Sequence, residues 1–257
     1  LEYLRPLQVL RGWRWGSLPP ARIVESRTVP ADFCVRVPER ECATLPAVAA
    51  IRRRPVGSLV LMYVGRLAYD KSVDDLLHAF ERATAASGGK GEGANAAASA
   101  ASAGLYLIGS GELERLVDAY AARLGGRVHR LGQVEHRHIS CVLREADVYI
   151  SAAQNETYGR SLVEALRCAL PIVTMSSSNL HVNNSTNGLL ATDGSVDDLA
   201  LQMRSMLSQP KLRAELTRGA AASGASSEVD DDLGAARMLR AVVQSYRAPV
   251  ASRAARA

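Results

Sequence analysis

The chain has 257 residues, 47% hydrophobic and 22% charged, with a formal net charge of +5. That composition belongs to a soluble globular protein, and no apolar run reaches the ~18 residues that a spanning helix needs. Residues 1–57 hold ten basic and five acidic residues, whereas 58–246 are net acidic by three and Arg247, Arg253 and Arg256 add positive charge at the end. A positive charge confined to the two ends argues against general nucleic-acid binding by the middle of the chain.

Seven of the ten prolines (Pro6, Pro19, Pro20, Pro30, Pro38, Pro46 and Pro55) fall in residues 1–57. Proline removes a backbone donor and interrupts regular elements, so this segment reads as linker or as the remnant of a preceding domain. Trp13 and Trp15, flanked by Arg11 and Arg14, suit docking on a partner domain or a membrane surface; a truncated piece of a missing neighbour fits equally well. The start, Leu1-Glu2-Tyr3-Leu4-Arg5, has neither an initiator Met nor a signal-peptide core, as expected of a fragment of something longer.

From Ser58 the pattern changes. Leu59 to Val64 is a continuous apolar run, the mark of a strand buried on both faces. Val73, Leu76, Leu77 and Phe80 follow at helical spacing. Leu105–Ile108 predicts a second strand, and Leu113, Leu116, Val117, Tyr120 and Leu124 a second helix. Val128–Leu131 and Val148–Ile150 are further strands, separated by a helix with Ile139, Val142 and Leu143. Ser161 to Leu170 predicts a helix, Pro171–Thr174 and Gly188–Leu190 short strands, and Val196 to Leu207 an amphipathic helix. The alternation predicts an α/β fold: a Rossmann-like parallel sheet with helices on both faces. Residues 87–103, rich in Gly, Ala and Ser, read as a flexible insertion, and 248–257 as a basic tail.

Cys34, Cys42, Cys141 and Cys168 show no CxxC spacing, so reduced thiols in a cytosol-like compartment are expected and neither zinc nor a disulfide framework is. His136-Arg137-His138 reads as a solvated polar turn, because no matching ligand cluster follows.

Ligands of open α/β sheets bind beyond the carboxyl ends of the strands, which singles out three segments. After the first strand, Gly65-Arg66-Leu67 leads to Lys71, two cations able to reach one anionic group; on these residues alone a solvated surface pair is the stronger reading. After the second, Gly109-Ser110-Gly111 begins like a dinucleotide fingerprint, but Glu114 stands at its third glycine and opposes a pyrophosphate, which disfavours an NAD oxidoreductase. A simple strand-to-helix turn explains the two glycines as well. After the fourth, Glu156 precedes and Glu164 follows a helix start at Gly159. With Glu164 about 7 Å along the axis, a phosphate can sit at the helix start with hydroxyl-rich groups on either side. Helix capping also favours acids near such a start.

Taken together, Gly65-Arg66-Leu67 with Lys71, Gly109-Ser110-Gly111, Gly132-Gln133-Val134, Ala146-Asp147-Val148, and Glu156 to Leu166 followed by Leu170-Pro171-Ile172-Val173 resemble the C-terminal donor-binding domain of family 4 retaining glycosyltransferases, which have the GT-B fold. The resemblance covers about residues 58–247. It implies that Arg66 and Lys71 contact the donor diphosphate, Glu156 the donor-sugar hydroxyls and Glu164 the ribose. Tyr158, Gly159, Arg160 and Ser161 match the loop facing sugar and phosphate, and Gln133 and Val134 the stretch along the base; Gly65 and Gly109 are also expected to bind the donor. Arg66, Lys71 and Glu156 are the expected catalytic residues. The donor is expected to be a UDP- or GDP-sugar, the acceptor a lipid or glycan, and no cofactor or essential metal is expected.

The sequence departs from the family at Ser72 and Ala169, each in place of a usual glycine, and at Ser176-Ser177-Ser178-Asn179, which replaces a Gly-Gly and Pro-Glu loop. Residues 1–57 are too short for the acceptor-binding N-terminal domain of the GT-B fold. Two readings follow: the donor half of a glycosyltransferase, or a non-catalytic nucleotide-sugar-binding or scaffold subunit of a glycosyltransferase complex. The expected location is cytoplasmic or on the cytosolic face of a membrane, with the basic ends near anionic lipid and no nucleic-acid partner.

Overall fold

The computed structural model of the chain describes residues 29–85, 102–154, 159–175, 181–192 and 194–226. Trp13, Trp15, Glu156, Tyr158, Ser176–Asn179 and the basic tail, together with nearly all of the 87–103 insertion and residues 227–247 of the expected domain, lie outside them.

Six strands, β1 (Val60–Val64), β2 (Gly104–Ile108), β3 (Val128–Gly132), β4 (Val148–Ser151), β5 (Ile172–Met175) and β6 (Gly188–Ala191), form one sheet in the order β3-β2-β1-β4-β5-β6. Every pair is parallel. The chain winds outward from β1 to β3, then returns to β4 on the other side of β1. This Rossmann-like reversal opens a crevice at the carboxyl ends of β1 and β4.

Alternate residues of each strand enter two separate cores. Leu61, Tyr63, Leu105, Leu107 and Ile150 pack with helices Val73–Thr84, Glu114–Arg123 and Val196–Ser208. The first of these presents Val73, Leu76, Leu77 and Phe80 at the i, i+3, i+4, i+7 spacing of a single buried stripe. Helix Val196–Ser208 is started by Ser195, whose hydroxyl accepts from the Asp198 N–H at 3.0 Å. Val60, Met62, Tyr106, Ile108 and Tyr149 face the opposite way, onto helices Ile139–Leu143 and Arg160–Arg167.

Residues 29–57, read from the sequence as linker or as the remnant of a preceding domain, complete that second layer. Val29, Phe33, Val37, Val48 and Ile51 are buried against the sheet. Two of the four prolines there begin helices rather than break them: Pro38 caps Glu39–Cys42, and Pro46 is the first residue of Pro46–Arg52, where a missing N–H costs nothing. The expectation of reduced thiols is corrected for the same reason. Because this segment lies against the helices of the second layer, disulfides join Cys34 to Cys168 and Cys42 to Cys141, with Cα separations of 5.0 and 5.2 Å.

Helix Pro210–Ala225 has no counterpart among the sequence-based elements. Its residues are mostly small, and it lies backbone to backbone on its neighbours: a Cβ at Gly219 would strike the Thr186 carbonyl, and one at Gly224 the Leu166 carbonyl. Among the described residues no helix is long and apolar enough to cross a membrane.

Candidate functional site

The loops that follow β1, β2 and β3 continue the sheet's hydrogen bonding past the strands. Gly65 N–H donates to Ile108 O (3.0 Å), Leu67 N–H to Ser110 O (2.9 Å), Leu113 N–H to Leu67 O (2.9 Å) and Gly109 N–H to Gly132 O (2.8 Å). The Tyr63 hydroxyl donates to Arg66 O at 2.8 Å and closes the first turn. Such close meshing explains the glycines. Gly109 has φ +136°, and a Cβ there would collide with the Gly65 carbonyl; a Cβ on Gly111 would collide with that of Leu67. The two glycines therefore bring the second loop against the first.

Glu114, the residue in place of the third fingerprint glycine, folds back so that its Oε1 accepts from Gly111 N–H at 3.2 Å. Its other oxygen lies 3.2 Å from Arg130 Nη1. A backbone donor that a pyrophosphate would need is thus already taken by a carboxylate. Gln133, just past β3, donates from its amide to the Ser110 hydroxyl and ties the third loop to the second.

On this backbone platform Arg66 projects into solvent, its side chain 69% exposed and paired with Asp70 (Nη2–Oδ2, 2.6 Å). Exposed pairs of this kind contribute about 0–1 kcal/mol, so an incoming multiply charged anion competes with Asp70 at little cost. Lys71 ends the short 3₁₀ turn Tyr69–Lys71, its N–H bonded to Ala68 O at 3.1 Å. Ser72 follows with φ +50°, a left-handed conformation that a side chain disfavours.

The second cluster lies at the start of helix Arg160–Arg167. Gly159 caps it with φ +70°, and Arg160 is its first residue. Glu164, one turn on, is 5% exposed, and its Oε1 is shared by His136 Nε2 (2.7 Å) and Arg160 Nε (3.2 Å). Ser161 and Val134 are half-buried nearby in the chain. His136 belongs to the loop that also carries Gln133, so this loop links Gly65, Arg66 and Gly109 on one side to Arg160 and Glu164 on the other.

The sequence reading missed His136 as a partner of Glu164, and it missed His138, which is buried and bonded to Glu41 Oε1 at 2.8 Å. The two histidines of the polar turn thus face different carboxylates. Among the described residues no group of three or more His, Cys, Asp or Glu side chains is placed to hold a metal.

A family model described as "Glycosyl transferases group 1" matches residues 48–223. The chain is similar to the glycogen synthase of Mycobacterium tuberculosis (strain H37Rv), with 28% identity over 178 residues, 66% of this chain and 39% of that protein. It is similar to the D-inositol 3-phosphate glycosyltransferase of Saccharomonospora viridis, with 30% identity over 221 residues, 77% of this chain and 50% of that protein. The chain therefore spans half or less of these curated relatives. Among solved structures, Anabaena HepE in complex with UDP shares the fold with a TM-score of 0.56 at 20% identity, covering 79% of this chain and 54% of that one.

Proposed function

The chain belongs to the group 1 glycosyl transferases, and from that premise we propose that it is the donor-binding half of a retaining enzyme. In this reading a sugar moves from a UDP- or GDP-sugar to a lipid or glycan acceptor. The observation that carries it is the meshing of three strand-end loops, which presents Arg66 to solvent beside the loop leading to the buried Glu164 carboxylate. Breaking the anomeric bond builds negative charge on the departing diphosphate. Arg66 and Lys71 meet that charge with side-chain cations, so the reaction needs no divalent metal. One such stabilising contact typically contributes roughly 3–4 kcal/mol to lowering the barrier. Glu164, desolvated and oriented by His136 and Arg160, accepts from ribose hydroxyls, and the family resemblance gives Glu156 the role of contacting the donor sugar, where a carboxylate favours developing positive charge.

The test is calorimetric titration of the folded chain with UDP and with GDP. Binding of one of them, weakened at least tenfold by Arg66→Ala, is expected; absence of heat with both overturns the reading. In the enzyme joined to its acceptor domain, Arg66→Ala or Lys71→Ala lowers turnover by two orders of magnitude or more.

A second reading, a non-catalytic nucleotide-sugar-binding subunit, draws on the positive φ that Ser72 is obliged to adopt directly after Lys71. It predicts nucleotide binding by the chain and no transfer by the enzyme joined to its acceptor domain.

A further inference from the structure

At the amino-terminal edge of the sheet, a cavity of about 300 Å³ opens between the end of helix Pro46–Arg52 and the starts of β1, β2 and β3. Arg53, Arg54, Arg127, His129 and Tyr106 line it, and among the described residues no acidic side chain does. It is remote from Arg66: Ser58 on its wall and Gly65 are seven residues apart along β1, roughly 20 Å at ~3.3 Å per residue.

The electrostatics of this cavity are unbalanced. Arg52, immediately before it, is satisfied by both Glu39 and Glu145. Arg53 and Arg127, in contrast, have no carboxylate partner among the described residues. Arg127, on the cavity wall, donates from Nε to Leu124 O at 3.3 Å. Arg54 donates to Ile51 O at 3.3 Å and lies 4.0 Å from Glu145. Three guanidinium groups around one concavity repel one another, and a multiply charged anion relieves that repulsion while accepting their forked donors. A flat surface adjoins them. The Tyr106 ring stacks on the His129 imidazole with centroids 4.3 Å apart and planes 13° from parallel. Both rings line the cavity, and burial lowers the proton affinity of His129.

We propose that this cavity is a second ligand site, taking a phosphate monoester with a small organic body and acting independently of the strand-end site. A monoester carries nearly two negative charges near neutrality, which suits three arginines better than a singly charged diester. The volume lies at the lower end of the range for small-molecule sites.

Phenyl phosphate is the probe, titrated calorimetrically into the full chain with and without saturating UDP, beside flotation on vesicles of phosphatidylcholine with and without phosphatidic acid. The expected result is phenyl phosphate binding that UDP leaves unchanged and that Arg53→Gln/Arg127→Gln weakens at least tenfold. Arg66→Ala leaves it unaltered. Retention on phosphatidic acid vesicles alone, lost in the same double variant, assigns the monoester to a lipid headgroup; phenyl phosphate binding without retention assigns it to a soluble molecule. Neither binding nor retention, or binding that survives the double variant, overturns the proposal. Arg53 is exposed, so Arg53→Gln alone, expected to weaken binding by a smaller factor, separates loss of the site from loss of the fold. Because the arginine variants decide the matter, the result stands whether or not UDP binds.

Discussion

Ala169 is the position where a single methyl group opposes the local backbone. Helix Arg160–Arg167 ends with Ala169 N–H bonded to Leu166 O at 2.9 Å and Leu170 N–H bonded to Ala165 O at 3.0 Å. That pair of bonds is the Schellman ending, which requires a left-handed residue at the position Ala169 occupies, and its φ is +58°. An L-residue there costs about 1–2 kcal/mol relative to the right-handed region. Ala169→Gly removes that cost and in exchange gives up about 0.4–1 kcal/mol through the greater entropy of glycine in the unfolded chain. The Cβ is only half-buried, so little packing is lost. The net expectation is stabilisation by about 0.5–1 kcal/mol, or an increase in Tm of about 1–4 °C for a domain of this size. Differential scanning calorimetry of both oxidised proteins measures it, with Gly132→Ala as the mirror case: Gly132 has φ +74°, nothing lies within 4 Å of an added Cβ, and a loss of similar size is expected. A Tm for Ala169→Gly that is unchanged or lower, while Gly132→Ala behaves as stated, would refute the assignment of strain to Ala169.

Three other expectations follow from the geometry. Gly109→Ala forces a methyl group into the Gly65 carbonyl and is expected to cost about 3 kcal/mol or more; a loss below 1 kcal/mol in urea denaturation means the two loops separate easily. Cys34→Ser and Cys42→Ser each remove a bridge closing a loop of about a hundred residues or more and are expected to cost about 2–4 kcal/mol; peptide mapping of unreduced protein that finds four alkylatable thiols contradicts both. Burial holds the His129 imidazole below its ordinary value, so near pH 6.5 and just below it the unfolded chain binds the proton that the folded one refuses. Stability attributable to His129 is therefore present above pH 6.5 and lost on acidification, and the Tm profile of His129→Gln falls less steeply below that pH; superimposable profiles exclude the effect.

What was legible in the sequence was whatever one local period could carry. Leu59 to Val64 had to be a strand buried on both faces because it is apolar throughout, and the structure places its alternate residues in two cores. Val73, Leu76, Leu77 and Phe80 marked a helix for the same reason. Features set by distant partners were not legible. The 29–57 segment carries prolines that normally signal interruption, and only its burial against the sheet shows that Pro38 and Pro46 begin helices. Helix Pro210–Ala225 has few large apolar residues because its neighbours touch its backbone, so no stripe announces it. The disulfides link cysteines 134 and 99 positions apart, which no spacing rule reveals. Within the candidate site, Arg66 and Glu164 were read from their motif, whereas His136 was missed because its partner lies 28 residues away.

The departures at Ser72 and Ala169 therefore have a common physical meaning: both are positions of positive φ, where the absent glycine would have fitted without strain. Whether this disables the site is a question of magnitudes. The left-handed conformation costs Ser72 about 1–2 kcal/mol. Directly after it, Val73, Leu76, Leu77 and Phe80 are completely buried, and burying each such side chain contributes about 1.5–3 kcal/mol. The packing of that helix exceeds the local strain several-fold, so the chain is held in the turn that a glycine would have adopted freely, and Lys71 keeps its place at its end. Arg66 is still less dependent on Ser72. Its exposed pair with Asp70 fixes almost nothing, and its position is set by the backbone bonds from Gly65 and Leu67 to the second loop. Under the proposed donor-binding reading, serine at position 72 therefore lowers stability rather than donor affinity, and it weighs less in favour of a non-catalytic subunit than the sequence alone suggested.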